Sequence, residues 1–283
     1  MKNIVFVSDL FVDQYAGGAE LTTEAIISKA PQNYKVQKIN CNELTNSFID
    51  QNKEAHYIIC NFSSLDNKIK INICKNVNYS MIEYDYKFCK YRSIEKHLNI
   101  ENKKCDCALR QENKVNLAFY GYARKIWFMS EKQRQIFLSH VTTIKEEKTE
   151  VLSSVFSDGD LRFIDSIKNN PKNDKYLILG SNSWIKGTQK SIQLAELKKI
   201  KYEIVSGMPY HELLIKMSTS KGLIFTPLGS DTCPRIVIEA KLLGCDLWIN
   251  EYVQHREEEW FLNQEDCMSY LKERGNHFWS YYA

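Results

Sequence analysis

Short apolar runs, each followed by a loop and a helix-length stretch, recur along this chain, and that rhythm limits its fold more than any single residue. Ile4 to Ser8, Val36 to Ile39, Tyr57 to Asn61, Tyr79 to Tyr84 and Ile126 to Met129 have the length of strands. They are apolar enough to be covered on both faces, as strands of a parallel sheet with crossover helices are. After the Lys/Glu-rich segment Lys145 to Glu150 the rhythm restarts, with strands expected at Tyr176 to Leu179, Tyr202 to Val205, Gly222 to Thr226 and Asp246 to Ile249. Helices are expected between them near Thr188 to Lys199, Pro209 to Lys216 and Pro234 to Leu243. The 283 residues therefore divide into two α/β domains, expected at 1–140 and 141–265, with a tail at 266–283. In such sheets ligands bind beyond the carboxyl ends of the strands, so the loops that follow strands are where chemistry is sought.

Composition narrows the classes further. A formal charge of +3, with Lys and Asp/Glu interspersed, argues against a nucleic-acid partner and leaves open a weakly basic face against an acidic membrane surface. The first residues, Met1 to Asp9, carry too short an apolar run for a signal peptide and read as a strand. No apolar stretch approaches the roughly 20 residues that span a bilayer. A cytoplasmic protein is expected, peripheral contact with the inner face of the membrane being left open, and its nine cysteines are expected to be reduced.

Three loops carry residues suited to a ligand with two polar ends. Gly17-Gly18-Ala19-Glu20 leads from the first strand into a helix, and glycine lets backbone approach a phosphate or sugar closely. Gly180 to Gly187 follows the first strand of the second domain and contains Ser181 and Lys186, with Lys186 either a phosphate contact or an exposed loop lysine. Asp231 to Glu239 reads Asp-Thr-Cys-Pro-Arg-Ile-Val-Ile-Glu. It sets one carboxylate before an apolar helix and the other about two turns inside it, apart enough to meet two ends of one ligand. Asp231 has a second reading as a helix cap, and Glu239 as an exposed helix residue. Gly-x-Gly-x-x-Gly is missing, which argues against a nicotinamide or flavin enzyme.

These three motifs, in this order, resemble those of the retaining glycosyltransferases of the GT-B fold (the glycosyl transferases group 1, or family 4, type). In that family two Rossmann-like, doubly wound parallel-sheet domains face each other across a cleft. The resemblance implies a first domain on the acceptor side, a second on the nucleotide-sugar side, and a last helix at 266–283 that crosses back to the first. It implies transfer of a sugar from a nucleotide-diphosphate sugar to an acceptor hydroxyl of a glycan, a lipid-linked or another acceptor, with retention and with no cofactor required. Gly17, Gly18, Ser181, Lys186, Arg235 and Glu239 are then the donor-binding set, with Glu239 on the ribose hydroxyls, where a carboxylate accepts two strong hydrogen bonds. Asp231 and Asp85 are the catalytic candidates. The chain departs from the family at three points: Asp231 replaces a Glu, Tyr84 replaces a His beside Asp85, and Ser181 replaces an Arg. Arg235, at the amino end of its helix, is the expected substitute for that missing charge. Asp85 is expected to orient the acceptor hydroxyl or take its proton, with packing at a strand end as the other reading and Glu83 a lesser candidate. Two other functions stay open: a sugar-nucleotide or glycan binding protein that has lost turnover, and a phosphosugar isomerase or epimerase of similar build.

Three further features of the chain each have two readings. Cys89, His97, Cys105 and Cys107 offer a zinc ligand set, with Cys74 as an alternative to His97. Cys-x-Cys departs from the common spacing, so buried free thiols are the other reading. Asp158-Gly159-Asp160 is read as the start of a helix capped by Ser157 or Asp158, in preference to a metal site. His255, among charged neighbours, is expected at the surface.

Overall fold

The computed structural model describes residues 2–283, which form two compact units, residues 2–155 with Gly275–Ala283 and Phe156–Arg274. The first unit runs β1 (Lys2–Ser8), α1 (Gly18–Ser28), β2 (Tyr34–Asn40), α2 (Asn46–Gln51), β3 (His56–Ile59) and α3 (Asn67–Asn76). It continues through β4 (Asn78–Glu83), α4 (Ile94–Glu101), α5 (Lys114–Tyr122), β5 (Ile126–Phe128), α6 (Glu131–His140) and β6 (Thr149–Val151). All its strands are parallel, in the order β2-β1-β3-β4-β5-β6. Val5, Val7, Tyr57, Ile59, Tyr79 and Met81 are buried in its core together with Phe119 and Phe137 from the covering helices. Helix starts follow side-chain chemistry: Thr45, Asp66, Ser93 and Ser130 each accept a hydrogen bond from a first-turn amide.

The second unit runs α7 (Asp158–Ile167), β7 (Tyr176–Leu179), α8 (Thr188–Leu197), β8 (Tyr202–Val205), α9 (Tyr210–Ser218) and β9 (Gly222–Phe225). Then come α10 (Arg235–Leu242), β10 (Asp246–Ile249), α11 (Glu259–Leu262) and α12 (Gln264–Ser280), whose last turns belong to the first unit. Its strands are also parallel, ordered β10-β9-β7-β8. Ser157 caps α7 by accepting from the Asp160 amide at 3.0 Å, as a helix start there requires.

In both sheets the first strand is followed by neighbours on opposite sides, so the chain reverses direction across the sheet at β1/β3 and at β7/β9. Those switch points are where loops diverge and leave a crevice. The division between units falls at Val155, some way past the expected residue 140, because Thr149 to Val151 pairs with β5 and extends the first sheet. The end of the chain is held within the first unit. Trp279 is buried, donates from Nε1 to the Ile26 carbonyl at 2.8 Å and packs against Phe6 and Tyr34. Trp127 donates to the Tyr282 hydroxyl at 3.2 Å. Among the described residues no helix is long and apolar enough to cross a membrane.

Candidate functional site

In the second unit the loops after β7 and β9 meet at the switch point. Gly187 ends the first of them with φ of 62°, and a Cβ there would lie 2.1 Å from the Thr226 carbonyl oxygen. Only glycine tolerates both the left-handed backbone and that approach. The approach brings Lys186 beside the second loop, where its ammonium donates to Asp231 Oδ2 at 2.7 Å. The Ile185 carbonyl accepts from the Leu228 amide at 3.0 Å, and Asp231 is tied on its other side to Tyr252 and Gln254 by backbone hydrogen bonds. Against this frame lies a pocket of about 540 Å³, lined by Gly180, Ser181, Trp184, Gly187, Thr188 and Leu228 among others. Ser181 shapes its rim: its amide donates to Thr188 Oγ1 at 3.1 Å, and its hydroxyl accepts from the Ser183 amide at 3.1 Å.

Arg235 and Glu239, one helical turn apart on α10, form a buried ion pair, with Arg235 Nε 3.4 Å from Glu239 Oε1. Tyr210 at the start of α9 donates to the same carboxylate oxygen at 2.9 Å and accepts from Arg235 at 3.1 Å. The guanidinium also lies 3.8 Å from the centre of the Phe156 ring and 3.9 Å from Asp160. Burial pushes the Glu239 carboxyl above its ordinary range, and Arg235 works against that rise. Burial also pushes the Tyr210 hydroxyl well up, so it remains a donor. Of the expected donor-binding residues in this unit, Lys186 meets Asp231, and Arg235 and Glu239 meet Tyr210, a partner the sequence reading did not single out, while Gly17 and Gly18 belong to the first unit. Tyr210 opens a helix after Pro209, but nothing in that position tells that its hydroxyl reaches Glu239.

His255 corrects an expectation. It is fully buried, stacked on Trp260 with ring centres 5.4 Å apart and edge-on to Phe261, and neither ring nitrogen has a hydrogen-bond partner among the described residues. The acidic run that suggested a surface residue belongs to its neighbours in sequence, whereas Trp260 and Phe261 fold over the ring. Burial drops its pKa to about 3, so the imidazole is neutral at physiological pH.

In the first unit the loops after β1, β3 and β4 come together. Asp9 accepts from the Ser63 and Ser64 amides at 2.8 and 3.0 Å, joining the first two of these loops. Gly17 and Gly18 stand at the amino end of α1, where free amides favour an anion. Further along α1, Thr23 shares a 2.7 Å hydrogen bond with Tyr84, which anchors the end of β4 to the helix that starts at Gly18. Asp85 is held by two cations, Lys87 at 3.1 Å and Arg92 at 2.6 Å. Burial would raise its carboxyl, but these charges outweigh it and hold the pKa below the ordinary value, which weakens Asp85 as a proton acceptor. Glu83 lies beneath, fully buried, accepting from Lys87 at 2.8 Å and from the Tyr120 hydroxyl, and burial pushes its pKa up to about 7. Gln133 locks the strand end by donating to the Glu83 and Asp85 carbonyls at 3.0 and 2.9 Å. Arg92 has φ of 57°, a conformation a non-glycine residue holds only where its surroundings fix it. The spacing Glu83-x-Asp85-x-Lys87 was the available signal for this cluster.

No family model and no curated protein sequence matches the chain. Solved structures do. Anabaena Alr3699/HepE in complex with UDP and glucose aligns over 99% of this chain and 95% of its own, with a TM-score of 0.58 and 11% identity. UDP-GlcNAc 2-epimerase from Neisseria meningitidis bound to UDP-GlcNAc aligns over 99% of both chains, with a TM-score of 0.55 and 10% identity. The lipopolysaccharide outer core galactosyltransferase WaaB, in its apo form, covers 98% of this chain and 91% of its own, with a TM-score of 0.50 and 10% identity. Each unit of the present chain is a Rossmann-like parallel-sheet α/β domain, as in GT-B-type proteins. The chain has the GT-B type of fold. At this level of identity the likeness concerns architecture, and function rests on the residues themselves.

Proposed function

We propose that this chain transfers a sugar from a nucleotide-diphosphate sugar to an acceptor hydroxyl, with retention of configuration and without a metal, in the synthesis of a polysaccharide or glycoconjugate. The observation that carries this reading is the meeting of Lys186 and Asp231 at the β7/β9 switch point beside an open pocket. In the reaction the bond from the sugar's anomeric carbon to the diphosphate oxygen breaks and a bond from the acceptor oxygen forms. The acceptor proton leaves to a basic oxygen, and nucleoside diphosphate is released. Negative charge grows on the departing diphosphate, and a cation already oriented there lowers the barrier more than one that must be reorganised. Lys186 supplies that cation, with Asp231 fixing it and standing close to the transferred sugar. Glu239, oriented by Tyr210 and Arg235, holds the ribose. Neighbours of this fold whose structures contain UDP or a UDP-sugar support the donor class. A second reading, a sugar-nucleotide binding protein without turnover, is favoured by the direct pairing of Lys186 with Asp231 and by Ser181 where the resembling family has Arg.

A thermal-shift screen against UDP, GDP, ADP and CMP sugars tests the donor class, since a ligand at 100 times its dissociation constant stabilises by about 2.7 kcal/mol. The stabilising donor is then incubated with and without candidate acceptors. Released nucleoside diphosphate with a retained glycoside supports transfer. Binding without release supports the binding protein, a product sugar nucleotide with altered sugar supports an epimerase, and no stabilisation by any sugar nucleotide overturns both leading readings.

A further inference from the structure

Between β4 and α5 the first unit carries a long connection, residues 84–113, whose only α-helix is α4. The segment is anchored at its start by the fully buried Tyr86 and Phe88, whereas Leu98 and Ile100 of α4 are half exposed. Beyond that anchor it turns thiols and an imidazole inward. Cys89 and Cys107 are buried, Cys105 is half-buried, and His97 is fully buried. The three sulfurs and one ring nitrogen all lie within 4.8 Å of one another. His97 Nδ1 is 3.7 Å from Cys89 Sγ and 3.4 Å from Cys107 Sγ.

Those separations have a geometric meaning. With zinc–sulfur bonds near 2.3 Å and zinc–nitrogen bonds near 2.0 to 2.1 Å, the edges of a ligand tetrahedron are about 3.8 Å between sulfurs and about 3.6 Å from sulfur to nitrogen. The imidazole–thiol distances here match the second edge before any metal is considered. Three thiolates and one imidazole are soft, tetrahedral donors that select zinc over magnesium, calcium or manganese. We propose that Cys89, His97, Cys105 and Cys107 hold a Zn²⁺ ion in a closed, four-ligand structural site.

The surroundings are those of such a site. The other ring nitrogen of His97, Nε2, is buried without a hydrogen bond among the described residues, 3.4 Å from a Glu101 carboxylate oxygen, the kind of neighbour toward which a metal-bound imidazole directs its remaining N–H. Glu101 is itself oriented by Arg110 at 2.8 Å and by Tyr91 at 3.2 Å. Asn113 donates to the carbonyls of Phe88 and Cys107, tying together the two ends of the ligand-bearing segment at 2.6 and 3.2 Å. Cys74, the alternative fourth ligand, is engaged with the Tyr79 hydroxyl at 3.3 Å and lies outside this group, so His97 takes the position. Closing a loop of this length by a metal stabilises the folded state chiefly because the unfolded chain has no preformed site. The segment so closed, 89–107, contains Arg92 and follows directly on Asp85 and Lys87, so the metal holds the arginine that pairs with Asp85 at the end of β4.

The test is the metal content of the full chain purified without chelator, measured by inductively coupled plasma mass spectrometry. About one zinc per chain is expected for a single closed site. Cys105→Ser and Cys107→Ser are each expected to lose most of it, and Cys74→Ser to retain it. Should the serine variants fail to fold, the wild-type chain exchanged with Co²⁺ decides, because tetrahedral sulfur ligation gives intense visible bands and thiolate-to-cobalt charge transfer. Wild-type protein with far less than stoichiometric zinc and no such cobalt spectrum overturns the site, as does zinc that survives in folded Cys105→Ser and Cys107→Ser. A disulfide among these cysteines in freshly purified protein, found by mass spectrometry, overturns it equally.

Discussion

At the scale of single residues, the contact between Lys186 and Asp231 decides how the donor is met. A phosphate entering there competes with the carboxylate for the ammonium and is repelled by it. Asp231→Asn removes the competitor, so UDP is expected to bind a few-fold tighter, in the range of a partly exposed ion pair, while transfer falls if the carboxylate serves the sugar. Lys186→Ala is expected to lower kcat by about 100- to 1000-fold with a smaller change in KM, because its charge matters most as the diphosphate departs. Steady-state kinetics with calorimetric UDP binding reads both, and equal losses in kcat and affinity for Lys186→Ala would reduce it to a ground-state anchor. His255 gives a prediction of another kind. Unfolded, it takes up a proton near pH 6.5, but folded it resists until about pH 3. Its contribution is therefore intact above pH 6.5 and falls as the pH drops toward 3. Between pH 7 and pH 4 the wild type is expected to lose about 3 kcal/mol more than His255→Leu, read from denaturant unfolding of the second unit at each pH. Parallel losses in the two proteins would show that another group governs the acid limb. Lys186 and Asp231 were legible because a glycine loop and an acid before a helix have local signatures. Tyr210 and the burial of His255 were not, since both depend on side chains delivered by other elements.

At the scale of elements, continuous apolar runs made β1, β3, β4, β7 and β9 readable, because strands covered on both faces have no room for polar alternation. β6 escaped the same reading. Its three residues, Thr149, Glu150 and Val151, are all half-buried at the edge of the sheet and follow a charged turn. One cap was readable too, at Ser157 or Asp158, and Ser157 takes it, since capping uses residues adjacent in sequence. Gly187 shows what motif reading leaves out: a glycine after a lysine is visible, but its 2.1 Å approach to Thr226 belongs to the packing of two loops. Gly187→Ala is expected to destabilise the second unit by roughly 1 to 3 kcal/mol, from the left-handed backbone and the displaced strand end together. UDP affinity is expected to fall with it, and a variant of wild-type stability by urea unfolding would contradict that geometry. In the first unit, Trp279→Ala is expected to cost about 3 to 5 kcal/mol, as truncation of a buried aromatic does, with the loss of the bond to Ile26 included.

At the scale of the whole molecule, two parallel sheets were legible from rhythm alone, whereas their boundary was not, because the Lys/Glu-rich segment that looked like a linker feeds directly into β6. The division matters for function. Lys186, Asp231, Arg235 and Glu239 all belong to Phe156–Arg274, so a nucleoside diphosphate alone has its proposed contacts in that unit. Mass action then stabilises the unit that binds: at 100 times the dissociation constant the gain is about 2.7 kcal/mol, which slows exchange through its global opening about 100-fold. With UDP present, hydrogen exchange followed by mass spectrometry is expected to slow by that factor in β7 and β9 while β1 and β3 exchange as before. Equal slowing in both sheets would mean that the units open as one or that the nucleotide contacts both. Slowing confined to β1 and β3 would move the donor to the glycine helix of the first unit and reverse the assignment of sides.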